Sequence, residues 1–350
     1  MGLAAVCFGQ PSAAKLSWSE LPPIPNELGL AGPIVGVHHG MLVVGGGTNF
    51  PNPVWETQKQ WLSELYGLER TASTLQWRKV GRLPHEIAYA ACATTSKGIV
   101  VAGGNDSVHL FDRCWLLQWK ADNQKIEISE LPKLPQPCAY GQACAIGDVV
   151  YLAGGQSQLD LDSAMSNLWR LDLTEAASSS FGWEKLPRCP GPPRAFNITV
   201  TLIKEDLPSV FVIGGRFEVG GDTKFLDDCW EFEPSSNRWQ SRAKLPRPIT
   251  AGTAIGTSST EIVALSGDDG SLFTRTEELR DKHPGFPRIT YLYDASLDVW
   301  QEAGTSPANQ VTTLAARFEG VIVIPSGEIR PRVRTPKVWS IQIPTLHDEY

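Results

Sequence analysis

Within SGEIRPRVRTP, Ser326 to Pro336, one acid, Glu328, is followed by Arg330, Arg332 and Arg334. A carboxylate can accept a proton, and a guanidinium fork can hold a carboxylate through two parallel hydrogen bonds. The bland alternative is a loop ion pair. The stretch follows an apolar run, Val321-Ile322-Val323-Ile324, and ends it in Ser-Gly, where most similar runs in the chain end in Gly-Gly. A purely structural repeat has no need of an acid and three arginines at that point.

Other groupings carry less chemistry. His38-His39 adjoins Gly40, and neighbouring side chains of a strand point to opposite faces, so the two imidazoles are expected to point apart. Asp268-Asp269-Gly270 lacks the further ligands of a calcium loop. The seven cysteines form no CxxC pair, which argues against zinc. Cys114 and Cys229 each precede Trp, and Cys92 and Cys144 occupy matching contexts, so they read as small core residues. GGGTNF has no βαβ unit around it, and no GxSxG motif occurs. Tyr, His and Cys are not grouped as a copper-radical site requires. No metal site is expected.

The elements that position these residues come from an internal repeat. MLVVGGGTN, IVVAGGND, VVYLAGGQ, VFVIGGRF, IVALSGDD and VIVIPSGE align on Gly47, Gly104, Gly155, Gly215, Gly267 and Gly327. Each unit carries an aromatic strand further on, at Trp115, Trp169, Trp230, Tyr291 and Trp339. A Trp followed by Leu-Pro recurs after Trp77, Trp183 and Trp239, and Trp300 holds the same place without Leu-Pro. Four strands per unit at a period of about 50 residues describe a six-bladed kelch-type β-propeller of the all-β class. The sixth unit lacks its Trp-Leu-Pro strand, and LSWSELPPIP, Leu16 to Pro25, supplies it. The N-terminal strand is therefore expected to join the last blade and close the ring, which removes the exposed sheet edges. Only Glu56 to Arg70 reads as an amphipathic helix.

Equivalent positions of a propeller form rings about its axis. Thr48, Asn105, Gln156, Arg216, Asp268 and Glu328 follow the closing glycines, and all six are polar. A second ring starts each blade and includes Tyr89, Tyr140 and Arg194. Inert turn residues are the simpler reading of any one of these. A polar set at one level of a concave axis is the default place for a ligand.

The chain has 350 residues and a formal net charge of −7, which disfavours nucleic acid or an anionic membrane as partner. No apolar stretch is long enough to span a bilayer as a helix. Residues 16–350 read as one domain. Residues 1–15 read as the trimmed tail of an export signal or an unstructured N-terminus, so a periplasmic or secreted location is expected, with a cytoplasmic one as the alternative. Self-association as a homodimer is left open.

SGEIRPRVRTPKVW resembles the signature segment of the bacterial N-acetylneuraminate (sialic acid) mutarotases, which are six-bladed kelch propellers. Gly327-Glu328, Pro331 and Arg334-Thr335 match that pattern, and GGGTNFPN, Gly45 to Asn52, resembles the family's GG-x-NFP segment. The Glu-bearing segment is last here and mid-chain in the enterobacterial enzymes, so the chain resembles a cyclically permuted branch. Ser-Gly before Glu328 departs from the pattern.

The resemblance implies an isomerase that interconverts the α and β anomers of N-acetylneuraminate by opening and reclosing a hemiketal, with no cofactor. It assigns Glu328 as the base and gives Arg334 the substrate carboxylate. Asn49, Tyr89, Asn105, Tyr140, Arg194 and Arg216 would line the funnel, and Arg330 and Arg332 would be solvated. The rival readings are a non-enzymatic kelch interaction module and a mutarotase for another acidic sugar, since fold alone does not fix function.

Overall fold

The computed structural model describes residues 16–204 and 207–342, so the reading of residues 1–15 lies outside the described residues. Six four-stranded antiparallel sheets follow one another along the chain. Blade 1 comprises Ile34–His38, Met41–Gly45, Glu64–Thr71 and Thr74–Arg82. Blade 2 comprises Ala91–Thr95, Gly98–Ala102, Cys114–Lys120 and Lys125–Leu131. Blade 3 runs from Ala139–Ile146 through Val149–Gln156 and Leu168–Asp172 to the short Glu184–Lys185. Blades 4 and 5 begin at Ile198–Lys204 and Ala254–Gly256 and end at Arg238–Arg242 and Val299–Thr305. Blade 6 takes Ala316–Phe318, Val321–Pro325 and Val338–Gln342 from the end of the chain and Ser17–Leu21 from its beginning. Trp18 lies opposite Ile341, and Glu20 opposite Trp339, so the expected closure of the ring is present.

The apolar runs become the second strand of each blade because that strand is covered on both faces by its neighbours. Met41–Gly45 and Gly98–Ala102 are buried at every residue. The core is accordingly distributed between blades. Ile34, Met41 and Leu65 of blade 1 pack with Ile99, Trp115 and Leu117 of blade 2, and similar clusters join the other pairs. Each such aliphatic side chain contributes roughly 1.5–3 kcal/mol when fully buried. The outer tryptophans tie neighbours together. The indole N–H of Trp77 donates to Pro22 O at 2.8 Å, Trp183 to Pro132 O at 3.1 Å, Trp239 to Pro187 O at 2.8 Å and Trp300 to Ala243 O at 3.0 Å. The Leu-Pro landmark thus provides the acceptor for three of these four.

A collar surrounds the axis. Gly32, Tyr89, Tyr140, Phe196, Ala251 and Thr312, one from the start of each blade, all have left-handed backbone, with φ between 54° and 62°. Each N–H donates to the carbonyl of its counterpart in the preceding blade at 2.6–3.0 Å, from Gly32 to Thr312 round to Thr312 to Ala251. The left-handed turn is what aims these groups along the circumference instead of into a sheet. The closing glycines have a related reason. A Cβ on Gly104, φ 92°, would stand 2.8 Å from the carbonyl of Ala88.

Two local expectations are corrected. Glu56 to Arg70 is not helical: it forms the short strand Gln60–Trp61 and the strand Glu64–Thr71, because Leu65, Tyr66 and Leu68 are needed in the sheet. His38 and His39 do not point apart. His39 takes left-handed backbone, φ 48°, in the turn, and the two rings stack at 4.0 Å.

Candidate functional site

The post-glycine loops of all blades lie at one end of the axis, and a cavity of about 530 Å³ opens there. Its floor is the collar, through Tyr89, Tyr140, Phe196, Ala251 and Thr312. The three aromatic rings form a continuous arc, with centroids 4.6 Å and 4.5 Å apart. The other half of the floor is built from small residues.

Glu328 stands on a two-stranded hairpin, Glu328–Arg330 with Val333–Arg334, that rises from blade 6. Its backbone is pinned by reciprocal 2.9 Å bonds with Val311. Its Oε1 accepts from the Arg332 N–H at 2.8 Å and faces Arg334 Nη1 at 3.5 Å. The side chain of Arg334 is 3% exposed, and its Nε and Nη1 have no hydrogen-bond partner. Ser326 explains the Ser-Gly departure. Its hydroxyl accepts from Leu30 N–H at 2.7 Å and donates to Thr335 O at 2.8 Å, tying the base of the hairpin to the start of blade 1.

The two sequence segments singled out by resemblance meet in space. Phe50, from GGGTNFPN, lies under the guanidinium groups of Arg334 at 4.8 Å and Arg332 at 4.9 Å. Lys59 Nζ sits 5.6 Å from the Tyr89 ring and 5.4 Å from Trp61. Opposite, Arg216 is largely buried. Its guanidinium stacks 4.2 Å from Phe196 and 5.2 Å from Phe273, its Nε is unpartnered, and it forms no ion pair among the described residues. Burial lowers its proton affinity, and the charges of Asp268 and Glu328 act against that. For Asp268, burial pushes the carboxyl up, while the Gly270 N–H and Arg216 oppose the rise. Burial likewise raises Tyr140, whose hydroxyl takes a hydrogen bond from Asn105 Nδ2 at 3.2 Å. The cavity therefore collects Lys59, Arg216, Arg332 and Arg334 against only Asp268 and Glu328, in an otherwise acidic protein. Such a site attracts an anion.

Of the residues expected from sequence, Glu328, Arg334, Tyr89, Tyr140 and Arg216 line this cavity together. Asn105 stands behind Tyr140, and Thr48 behind Tyr89, whose hydroxyl lies 3.1 Å from Thr48 Oγ1. Asn49 does not line the cavity. It is 3% exposed and braces Asn26 and Gly29. Arg194 is also corrected: it is fully buried, paired in two bonds with Asp228 at 2.7 and 2.8 Å and donating to Gly214 O, so it is structural. Gln156 turns into its own loop. Arg332, expected to be solvated, lines the cavity and stacks between Phe50 and Trp55. Arg330 is paired with Asp281 at 3.1 Å.

Lys59, Phe273, His283 and Phe286 escaped the sequence reading. The last three come from one insertion, residues 269–288 in blade 5, that carries three short helical turns and covers one side of the mouth. The repeat has no equivalent for it, so its excess length was the available signal. His283 is 6% exposed, and its Nδ1 accepts from the Gly285 N–H at 3.1 Å. Burial, and after it the charge of Arg330, lower its pKa.

Fold and site together define a six-bladed propeller with a basic, aromatic-floored funnel at one end of its axis. No protein-family model matches the chain. It is similar to the N-acetylneuraminate epimerase of Yersinia enterocolitica, 27% identical over 235 residues, which are 59% of this chain and 56% of that protein. The N-acetylneuraminate epimerase of Salmonella arizonae is 23% identical over 60% of this chain and 57% of its own length. The chain thus spans under two thirds of the length of the curated relatives it matches. A solved structure described as "Structure of YjhT" superposes with a TM-score of 0.69 at 15% identity, covering 92% of this chain and 99% of that one, and shares the propeller fold.

Proposed function

We propose that this protein is a mutarotase that interconverts the anomers of N-acetylneuraminate. The observation that carries the reading is Glu328, fixed by backbone bonds and facing Arg334, in a cavity where four cations outnumber it and Asp268. The names of the sequence relatives support it.

The cavity volume suits a monosaccharide acid, because ligand pockets run from about 300 to 1,000 Å³. Glu328 takes the proton of the anomeric hydroxyl. Arg334, held against it, orients the carboxylate of the base. The sequence reading gave the sugar's carboxylate to Arg334. The folded chain offers a better receptor in Arg216, which is deep, stacked and free of an ion pair. The aromatic arc supports the apolar face of the ring.

The test is anomer exchange followed by NMR. Added protein should speed the return of N-acetylneuraminate to its anomeric equilibrium. Exchange of another acidic sugar but not of this one would move the substrate assignment. No exchange with any acidic sugar would leave the interaction-module reading standing.

A further inference from the structure

Ring opening needs two groups, one to take a proton and one to stabilise the oxygen that departs, and Glu328 can serve only as the first. Resting on that reading, we propose that His283 is a second catalytic residue, a neutral hydrogen-bond donor to the ring oxygen of the bound sugar.

The tautomer follows from one contact. A backbone N–H can only donate, so the Gly285 bond requires a lone pair on Nδ1, and the ring proton must sit on Nε2. Nε2 takes no partner among the described residues, and the ring lines the same cavity as Glu328 and Arg216. The insertion that carries His283 is docked on the hairpin that carries Glu328. Arg330 reaches back to Asp281 at 3.1 Å and to the carbonyl of Arg280 at 3.4 Å. Gly285 lies so close that a Cβ there would stand 2.9 Å from the carbonyl of Ile329. Base and donor are therefore positioned by one packed unit. The lowered pKa of the imidazole agrees with a neutral ring.

The step balances without a cofactor. Glu328 takes the anomeric hydroxyl proton, and that O–H pair becomes the second bond of the new carbonyl. The bond from the anomeric carbon to the ring oxygen breaks, leaving its electron pair on that oxygen. Nε2–H of His283 holds the oxygen while its charge grows and keeps its own proton. The Glu328 carboxylic acid then returns the proton through a solvent water, giving the open-chain hydroxyl. Reclosure on the opposite face of the carbonyl reverses each event.

Two substitutions separate a donor from a structural residue. His283→Asn keeps an acceptor for the Gly285 N–H and withdraws the donor at Nε2. His283→Gln places an amide N–H near Nε2. With N-acetylneuraminate as the probe, kcat for exchange should fall ~10²-fold in the Asn variant, the loss expected for one preorganised donor, with little change in KM. The Gln variant should recover most of it, and both should melt with the parent. An Asn variant at the parental rate overturns the assignment. So does a fall of equal size in both variants accompanied by a raised KM or a lowered melting point, which would mark a structural role. An active parent with unaffected variants sinks the donor alone, whereas an inactive parent sinks the mutarotase reading and the donor with it.

Discussion

At the scale of single residues, the proposed reaction gives separate tasks to Glu328 and Arg216. Glu328→Gln keeps shape and hydrogen bonding and removes the base, so anomer exchange should fall by at least ~10²-fold while the sugar still binds. Arg216→Ala removes a charged contact to the substrate carboxylate, worth about 1.5–3 kcal/mol, and should raise KM by roughly ten- to a hundredfold with kcat less affected. Steady-state exchange kinetics on both variants distinguish these outcomes, and a larger KM effect in the Glu328 variant would reverse the assignment. Glu328 and Arg216 were legible because each follows a closing glycine of the repeat. Arg194 was misread because the repeat fixes where a residue starts, not which way it turns. Its partner Asp228 lies 34 residues on in the chain, and nothing in the spacing announces that pair. The stacking of Arg332 on Phe50 was equally hidden, since those residues are brought together only when the ring closes.

At the scale of elements, Arg330 acts as a clasp between the blade 6 hairpin and the blade 5 insertion. The pair is part-exposed, 26% and 68% on its two sides, so it is worth about 0.2–1 kcal/mol. Arg330→Ala, which the sequence alone would score as silent, should lower exchange about two- to fivefold by loosening the insertion, with the melting point nearly unchanged. Limited proteolysis should cut between residues 269 and 288 faster in the variant, and unchanged cleavage would count against the clasp. A second link joins blades 4 and 5. Asp298 accepts from Ala243 N–H at 2.8 Å and from the Tyr293 hydroxyl at 2.7 Å. Burial opposes its ionisation, but those bonds and the charge of Arg242 outweigh it and hold the carboxyl below its usual 3.8. A carboxyl lowered by folding stabilises the native state above the unfolded value and loses that contribution as pH falls through the folded one. Asp298→Asn should therefore cost about 1 kcal/mol at neutral pH. The gap in melting point between parent and variant should persist down to about pH 4, near the unfolded value, and narrow as the pH falls further through the lowered folded value. A gap that grows on acidification would contradict this. Strands were readable from β-branched runs and glycine breakers, whereas the helical turns of the insertion were not, because they are too short to show a period.

For the molecule as a whole, closure by Ser17–Leu21 makes the first described strand part of the last blade. Deletion through residue 25 would uncover the edge of Val338–Gln342 and remove buried Ile24. It should lower the melting point by at least ~10 °C or cause aggregation, measured by scanning calorimetry and light scattering. An unchanged transition would mean that the ring does not depend on this strand. Closure was legible because WSELP copies WEKLP, and a closed ring has no preferred first blade.

The collar has a different consequence, which concerns how such a protein can diverge. Its six N–H groups are all spent on the collar's own carbonyls, so the floor of the funnel offers a ligand no main-chain donor there. Recognition at that depth is left to the side chains of five blades, Gly32 contributing none, on a hoop whose geometry none of them creates. Tyr89, Tyr140 and Phe196 already show that the hoop tolerates large rings in left-handed positions, and Gly32, Ala251 and Thr312 show that it tolerates small ones. Gly32 is held, because a Cβ there would lie 2.4 Å from the Tyr89 ring, but at the other five positions a lineage can exchange residues singly, as digits on a dial, and reshape the floor without first finding a new scaffold.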